Sequence, residues 1–200
     1  MIGLTTGDDG VTRCAWAHGT ALYERYHDEE WGRPVRDDRR LFERITLEAF
    51  QSGLSWLIIL RKRPAFREAF ADFDIAAVAE FDDDDRARLM SDARIVRNQA
   101  KINATVSNAV AAMELRERGG SLVDLLWSFA PSDPGPAPSS FDQVPASTDE
   151  SGAMAAALKQ RGFRFVGPTT CYALMQAAGM VNDHLLGCEA GDALRSEVPV

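Results

Sequence analysis

Cysteine and histidine are scarce in this chain, three of each among 200 residues. So few cysteines exclude the disulfide framework of a small secreted domain. They fit a reducing, cytoplasmic setting in which thiols stay free to bind metal. No apolar run approaches the roughly 20 residues that cross a bilayer, so no membrane partner is expected. The opening segment MIGLTTGDDG has neither the basic start nor the apolar stretch of a secretory signal. Disorder is excluded too, because 46% hydrophobic content is ample for a core that hides roughly 70% of the unfolded surface. The length suits a single domain over 1–200, built of two helical lobes, and nothing requires more than a monomer.

Acid is in excess, with a net charge of −8 and a pI near 4.9. That balance would ordinarily count against a nucleic-acid partner, since phosphate contacts call for a basic face. Much of the excess is local, however. Asp82, Asp83, Asp84 and Asp85 read as the acidic first turn of a helix, favoured by its dipole. Arg61, Lys62, Arg63 and Arg67 cluster, as do Lys159, Arg161 and Arg164, so a basic surface is still available.

The scarce residues are not scattered. Cys14 with His27 near the start, and His184 with Cys188 near the end, offer two sulfurs and two imidazoles, the ligand set of a closed tetrahedral zinc site. One ion held by all four would clip the two termini together and contribute on the order of 10 kcal/mol to folding. The 184-to-188 interval is normal for ligands on one turn, whereas the step from Cys14 to His27 fits no standard finger. Two buried free cysteines beside two ordinary histidines remain the alternative at this level. The third cysteine, Cys171, lies in an apolar helical pattern and reads as core.

The pattern is helical almost throughout. Asp37 or Asp38 caps a helix with Leu41, Phe42, Ile45 and Ala49 at helical spacing, running toward Gly53. Ser55 caps a second through Trp56, Ile59 and Leu60, which Pro64 is expected to end. Asp74 opens a short helix, and another follows the aspartate run to a break at 91–97. From Asn98 a long helix carries Ile102, Val106, Ala109, Val110 and Met113 on one stripe and stops at Gly119 and Gly120. A short helix falls within 121–129, and 131–149, rich in Pro, Ser and Asp, is expected as a surface loop. Helix resumes from about Ser151 to Gln160 and again from Pro168 to Gly179. Phe163 to Gly167 reads as a brief extended segment. The class is all-α.

Aromatic residues gather around one region. Trp16, Trp31 and Trp56 flank it with Tyr23 and Tyr26, while Trp127 belongs to an apolar run and reads as core. Glu48 falls on the buried side of its helical pattern, and a buried carboxylate needs a partner or a ligand. Aromatic walls around one anionic acceptor suit a flat, cationic heterocycle bearing an amino group, such as an alkylated purine. Gly53-Leu54-Ser55 adds a turn that brings backbone close to a ligand, with an apolar residue able to wedge into a base stack.

These residues carry a resemblance. The chain resembles the type I family of 3-methyladenine-DNA glycosylases, a zinc-containing branch of the helix-hairpin-helix glycosylases, over nearly its whole length, from about Arg13 to Cys188. The motifs are Cys14-Ala15-Trp16, Tyr23-Glu24-Arg25-Tyr26-His27-Asp28-Glu29-Glu30-Trp31-Gly32, Leu47-Glu48, Gln51-Ser52-Gly53-Leu54-Ser55-Trp56, Lys159-Gln160-Arg161-Gly162-Phe163-Arg164-Phe165-Val166-Gly167-Pro168-Thr169-Thr170 and Val181-Asn182-Asp183-His184. The resemblance implies a helix-hairpin-helix domain with structural zinc on Cys14, His27, His184 and Cys188. It implies Glu48 and Tyr26 against the flipped base, and Trp16, Tyr23, Trp31 and Trp56 around it. It places the hairpin at Ser91 to Lys101, whose helix-capping amides hold the phosphates of double-stranded alkylated DNA, so that an acidic protein binds DNA. Gly53, Leu54, Arg94 and Lys101 are the candidate DNA contacts.

Two places depart from the family pattern. Arg94 stands where the hairpin commonly has a glycine, and Ala49-Phe50 follow the glutamate where many relatives carry a glycine and a polar residue, which is expected to alter the pocket. The implied reaction is hydrolytic excision of 3-methyladenine with no lyase step, since no lysine lies beside the pocket motifs in the sequence. The alternative is a zinc-stabilised protein that binds alkylated or distorted DNA without cutting it.

Overall fold

The computed structural model describes residues 3–133 and 135–197. A two-stranded antiparallel ribbon, β1 (Leu4–Thr6) and β2 (Thr12–Cys14), opens the chain with Leu4 opposite Cys14. Three-residue strands are too short to show an alternating pattern, so periodicity does not reveal them. Helix α1 (Ala21–Glu29) follows, with the Thr20 side chain accepting from the Tyr23 amide at its start.

Helix α2 (Asp38–Gln51) is capped by Asp37, whose carboxylate accepts from the Arg40 amide at 2.9 Å. It is the central strut: α3, α6, α7 and α9 all pack against it. Leu41, Phe42, Ile45 and Phe50 are among its fully or almost fully buried side chains. Helix α3 (Trp56–Ala69) does not end at Pro64, which lies inside it. The proline removes one ladder bond, but burial of Phe66 and Ala69 beyond it, with the Phe66 ring centroid 4.8 Å from that of Phe50, carries the helix onward.

The short α4 (Ile75–Ala79) is capped by Asp74, and α5 (Asp83–Ser91) by Asp82, with the other three aspartates in its first turn. Residues 92–98 then form a tight connection to α6 (Gln99–Glu117), whose first turn is capped by Asn98 accepting from the Lys101 amide at 3.1 Å. The pair α5 and α6 is thus a helix-hairpin-helix unit. Val110, placed on the apolar stripe by the sequence, is one of the exposed large hydrophobics.

Helix α7 (Leu122–Trp127) leads into the surface segment, which among the described residues holds a single turn at Phe141–Gln143. Helices α8 (Asp149–Gln160) and α9 (Pro168–Ala177) pack together, and no strand forms between them. A last helix, α10 (Glu189–Glu197), was not foreseen. Most buried side chains form one core around α2, and a second small cluster of Cys14, Leu185 and Cys188 lies where the two ends of the chain meet.

Candidate functional site

The end of β2, helix α1 and the turn before α10 bring Cys14, His27, His184 and Cys188 together. All four are fully buried, and their ligand atoms lie within 4.8 Å of one another. His184 Nδ1 is 3.1 Å from His27 Nε2, Cys188 Sγ is 3.4 Å from His27 Nε2 and 3.3 Å from His184 Nδ1, and Cys14 Sγ is 3.9 Å from His184 Nδ1. Metal–sulfur bonds of about 2.3 Å and metal–nitrogen bonds of about 2.0 Å give tetrahedral edges of about 3.3–3.8 Å. The four separations given lie at or near that range, and the two sulfurs and two nitrogens could hold a metal ion among them.

The surroundings fit the same reading. His27 turns its Nδ1 to Asp28 Oδ1 at 2.7 Å, leaving Nε2 for the cluster, and His184 turns its Nε2 to the Trp31 carbonyl at 3.1 Å. Asp28 is itself forked by the buried Arg13, which also pairs with Asp9 at 2.7 Å. Such outer partners fix ring orientation and ligand basicity. The Leu185 amide donates to Cys14 Sγ at 3.4 Å. The Cys14 thiol and the two imidazoles together push Cys188 well toward thiolate, while the shared proton holds Cys14 up. Gly191 is required here because a Cβ at that position would lie 2.2 Å from His184 Cβ.

The Cys/His cluster packs behind Trp16 and Trp31, two walls of an aromatic cavity. The Trp31 ring centroid is 4.5 Å from that of His184, and Trp16 is 5.3 Å from His27. In front of them Trp16 meets Tyr23 and Trp31 edge-on, each at 5.0 Å, and Tyr26 meets Trp56 at 5.3 Å. The resulting cavity of about 160 Å³ is lined by Trp16, Tyr23, Tyr26, Trp31, Glu48 and Trp56, together with Gln51, Ala173 and Gln176. Every residue that the sequence suggested for a base pocket reaches it. The last three were missed: the two on α9 sit more than a hundred residues from the motif and carry no pattern that separates them from ordinary helix positions.

Glu48 is only 6% exposed, and no hydrogen bond reaches its carboxylate among the described residues. Burial pushes its pKa up to about 8, opposed only by the Arg44 charge. Burial likewise raises the Tyr26 phenol well above its ordinary range. The indole N–H of Trp56 is buried without a partner among the described residues. A cavity with an unpaired carboxyl among five aromatic walls holds a polar group ready for a ligand. Phe50, expected to alter the pocket, instead lies fully buried in the core between Phe66 and Phe70. Neither Ala49 nor Phe50 lines the cavity.

Beside the cavity, α2 ends in the turn of Gly53 and Leu54. Gly53 has φ +86 with open space where a Cβ would point, so the backbone angle rather than crowding calls for glycine. Leu54 is 38% exposed at the tip. In the hairpin, Arg94 adopts no left-handed angle. Asp92 accepts from its amide at 2.9 Å, and the guanidinium is shared between Asp92 and Glu68. Lys101, suggested as a DNA contact, turns inward: it is 7% exposed and donates from Nζ to the carbonyls of Phe50 at 3.0 Å and Ser52 at 2.8 Å.

A helix-hairpin-helix unit beside an aromatic, carboxylate-bearing cavity is the construction of an enzyme that handles single bases. The comparisons agree. The family model described as methyladenine glycosylase matches residues 16–191. The chain is 45% identical over 179 residues to DNA-3-methyladenine glycosylase 1 of Escherichia coli (strain K12), spanning 89% of this chain and 96% of that one. A crystal structure of 3-methyladenine DNA glycosylase I superposes with a TM-score of 0.86 at 46% identity, covering 88% of this chain and 98% of the other. A Tyr-to-Phe variant of a 3-methyladenine DNA glycosylase I in complex with 3-methyladenine superposes with a TM-score of 0.84 at 34% identity, covering 90% and 97%. This chain is thus an enzyme of the glycosylase class. It belongs to the methyladenine glycosylase family.

Proposed function

We propose that this enzyme extrudes 3-methyladenine from alkylated duplex DNA and hydrolyses its N-glycosidic bond, with zinc as a purely structural ion on Cys14, His27, His184 and Cys188. The observation that carries the reading is Glu48, a buried carboxyl without a hydrogen-bond partner among the described residues, inside an aromatic cavity. The two-sulfur, two-nitrogen donor set favours zinc. A bound zinc ion supplies rigidity to the wall formed by Trp16 and Trp31.

A base inside a duplex is out of reach, so the nucleotide must leave the stack at a cost of a few kcal/mol, least for damaged pairs. Leu54 fills the gap left behind, and the hairpin amides hold the neighbouring phosphates. Alkylated at its third nitrogen, the base is cationic. Aromatic faces then attract it, worth ~0.5 to 2 kcal/mol per contact, and Glu48 ionises against it. The Tyr26 hydroxyl orients its edge. The glycosidic bond breaks with its electron pair going to the base, which departs neutral and needs no acid. The oxocarbenium-like sugar left behind is stabilised by the Glu48 charge and takes up water, whose proton passes to that carboxylate.

No lyase step follows in this scheme. In space one lysine, Lys101, does come next to the Gly53–Leu54 turn, but its ammonium is engaged by two carbonyls. Borohydride trapping of an enzyme–DNA adduct would overturn this point.

The decisive experiment incubates the protein with methylated duplex DNA and identifies released base by chromatography, beside a Glu48→Gln variant. Release of 3-methyladenine by the wild type, depressed in the variant, is expected. Tight binding without release would mean a lesion-binding protein instead.

A further inference from the structure

Two loops must act together if the reading above holds: the hairpin at 92–98 and the wedge turn at Ser52–Ser55. They lie far apart in the chain, yet two lysines tie them in a reciprocal way. Lys62, on the helix that follows the wedge turn, sends its ammonium to the hairpin carbonyls of Ala93 at 3.2 Å, Arg94 at 2.8 Å and Ile95 at 3.5 Å. Lys101, on the helix that follows the hairpin, sends its ammonium to Phe50 O and Ser52 O at the wedge turn. Each helix thus holds the loop that precedes the other. None of these five carbonyls accepts a bond from a loop or cap backbone amide among the described residues.

The peptide plane explains what this accomplishes. In a trans peptide the N–H points opposite to its carbonyl. Drawing the Ala93, Arg94 and Ile95 carbonyls toward one ammonium turns the amides of Arg94, Ile95 and Val96 the other way. Arg94 and Ile95 donate back to Asp92, whereas the Val96 amide makes no bond among the described residues. It joins the unpaired first-turn amides of α6 as an anion cradle. On the other loop, drawing the Ser52 carbonyl inward turns the Gly53 amide and the Leu54 side chain beyond it outward.

We propose that Lys62 and Lys101 are positioning residues that form a two-lysine clasp, setting the hairpin amides and the Leu54 wedge at the spacing needed to grip phosphates and fill the emptied stack at once. Neither ammonium touches the base or the reacting bond. The clasp rests on the excision reading, and its test separates the two.

The experiment compares wild type, Lys62→Met, Lys101→Met and the glutamine variants of both, which keep a donor. Three readouts are taken on zinc-loaded protein: affinity for free 3-methyladenine, affinity for a duplex holding an abasic analogue, and single-turnover base release at saturating enzyme. Loss of a charge-assisted bond predicts about a tenfold weaker duplex affinity for Lys62→Met. For Lys101→Met it predicts release about tenfold slower with duplex affinity held. Affinity for the free base stays at the wild-type value in both, and glutamine restores part of each loss. The clasp is refuted if methionine variants grip and excise like wild type, or if free-base affinity falls in parallel with the other readouts. It is also refuted if Lys62→Met reduces the salt slope of duplex binding by about one, which marks a direct phosphate contact. Should Lys101→Met fail to fold, Lys101→Gln carries that arm. A wild type that releases no base sinks the excision reading, while duplex affinity still tests the clasp.

Discussion

Glu48 should make the empty enzyme less stable as the solution becomes more alkaline, and Glu48→Gln should remove that sensitivity. The carboxyl has an ordinary pKa of 4.5 and is pushed up to about 8 by burial. The folded state therefore prefers the protonated form. Stability from this group is fully present below about pH 4.5 and is lost progressively as pH rises through about 8. At about 1.4 kcal/mol for each tenfold change in proton affinity, the whole swing is on the order of 5 kcal/mol, most of it between pH 5 and pH 9. Water entering the cavity will reduce it, so a swing of about 2 to 5 kcal/mol is expected. Urea unfolding of zinc-loaded wild type and Glu48→Gln across that range provides the measurement. The difference in midpoint should widen in favour of glutamine as pH rises, while base release from methylated DNA falls about 100-fold in the variant. Parallel midpoints at all pH values would show that Glu48 is not a destabilised, ligand-awaiting carboxyl, and the argument for its role would fail.

Further outcomes are expected. Because Glu48 is largely protonated in the empty site at pH 7 and ionised against a cationic lesion, binding of methylated duplex should release about one proton; titration calorimetry in buffers of different ionisation enthalpy detects it, and a buffer-independent heat argues against it. Asp28→Asn weakens the hold on His27 and should lower zinc affinity about 10- to 100-fold, read by competition with a chromogenic chelator. Gly191→Ala forces a Cβ to 2.2 Å from His184 Cβ and should lower both zinc content and melting temperature; a variant with full zinc would contradict the packing described. Leu54→Ala should slow release from duplex DNA far more than it lowers the melting temperature, since the side chain sits 38% exposed at the tip of its turn. Equal losses in both would reassign Leu54 to the fold.

Much of this protein is determined by its sequence alone. Capping residues with apolar spacing, as at Asp37 before Leu41 and Ile45, or Asn98 before Ile102, set helix starts because both signals are local. The chemistry of the site is legible for a similar reason: the rare cysteines and histidines, the aromatic residues and Glu48 are few and gathered in short motifs. Tertiary structure decided the rest. Whether Pro64 stops a helix depends on the burial of Phe66 and Phe70 rather than on proline itself. Phe50 turned to the core instead of the pocket because Phe66 and Phe70 receive it. Gln51, Ala173 and Gln176 become pocket walls only once α9 packs on α2. Lys62 and Lys101 look like ordinary basic residues until folding brings carbonyls from distant loops within reach. A residue's type limits what it can do, but its partners come from segments dozens of positions away, and only packing chooses them.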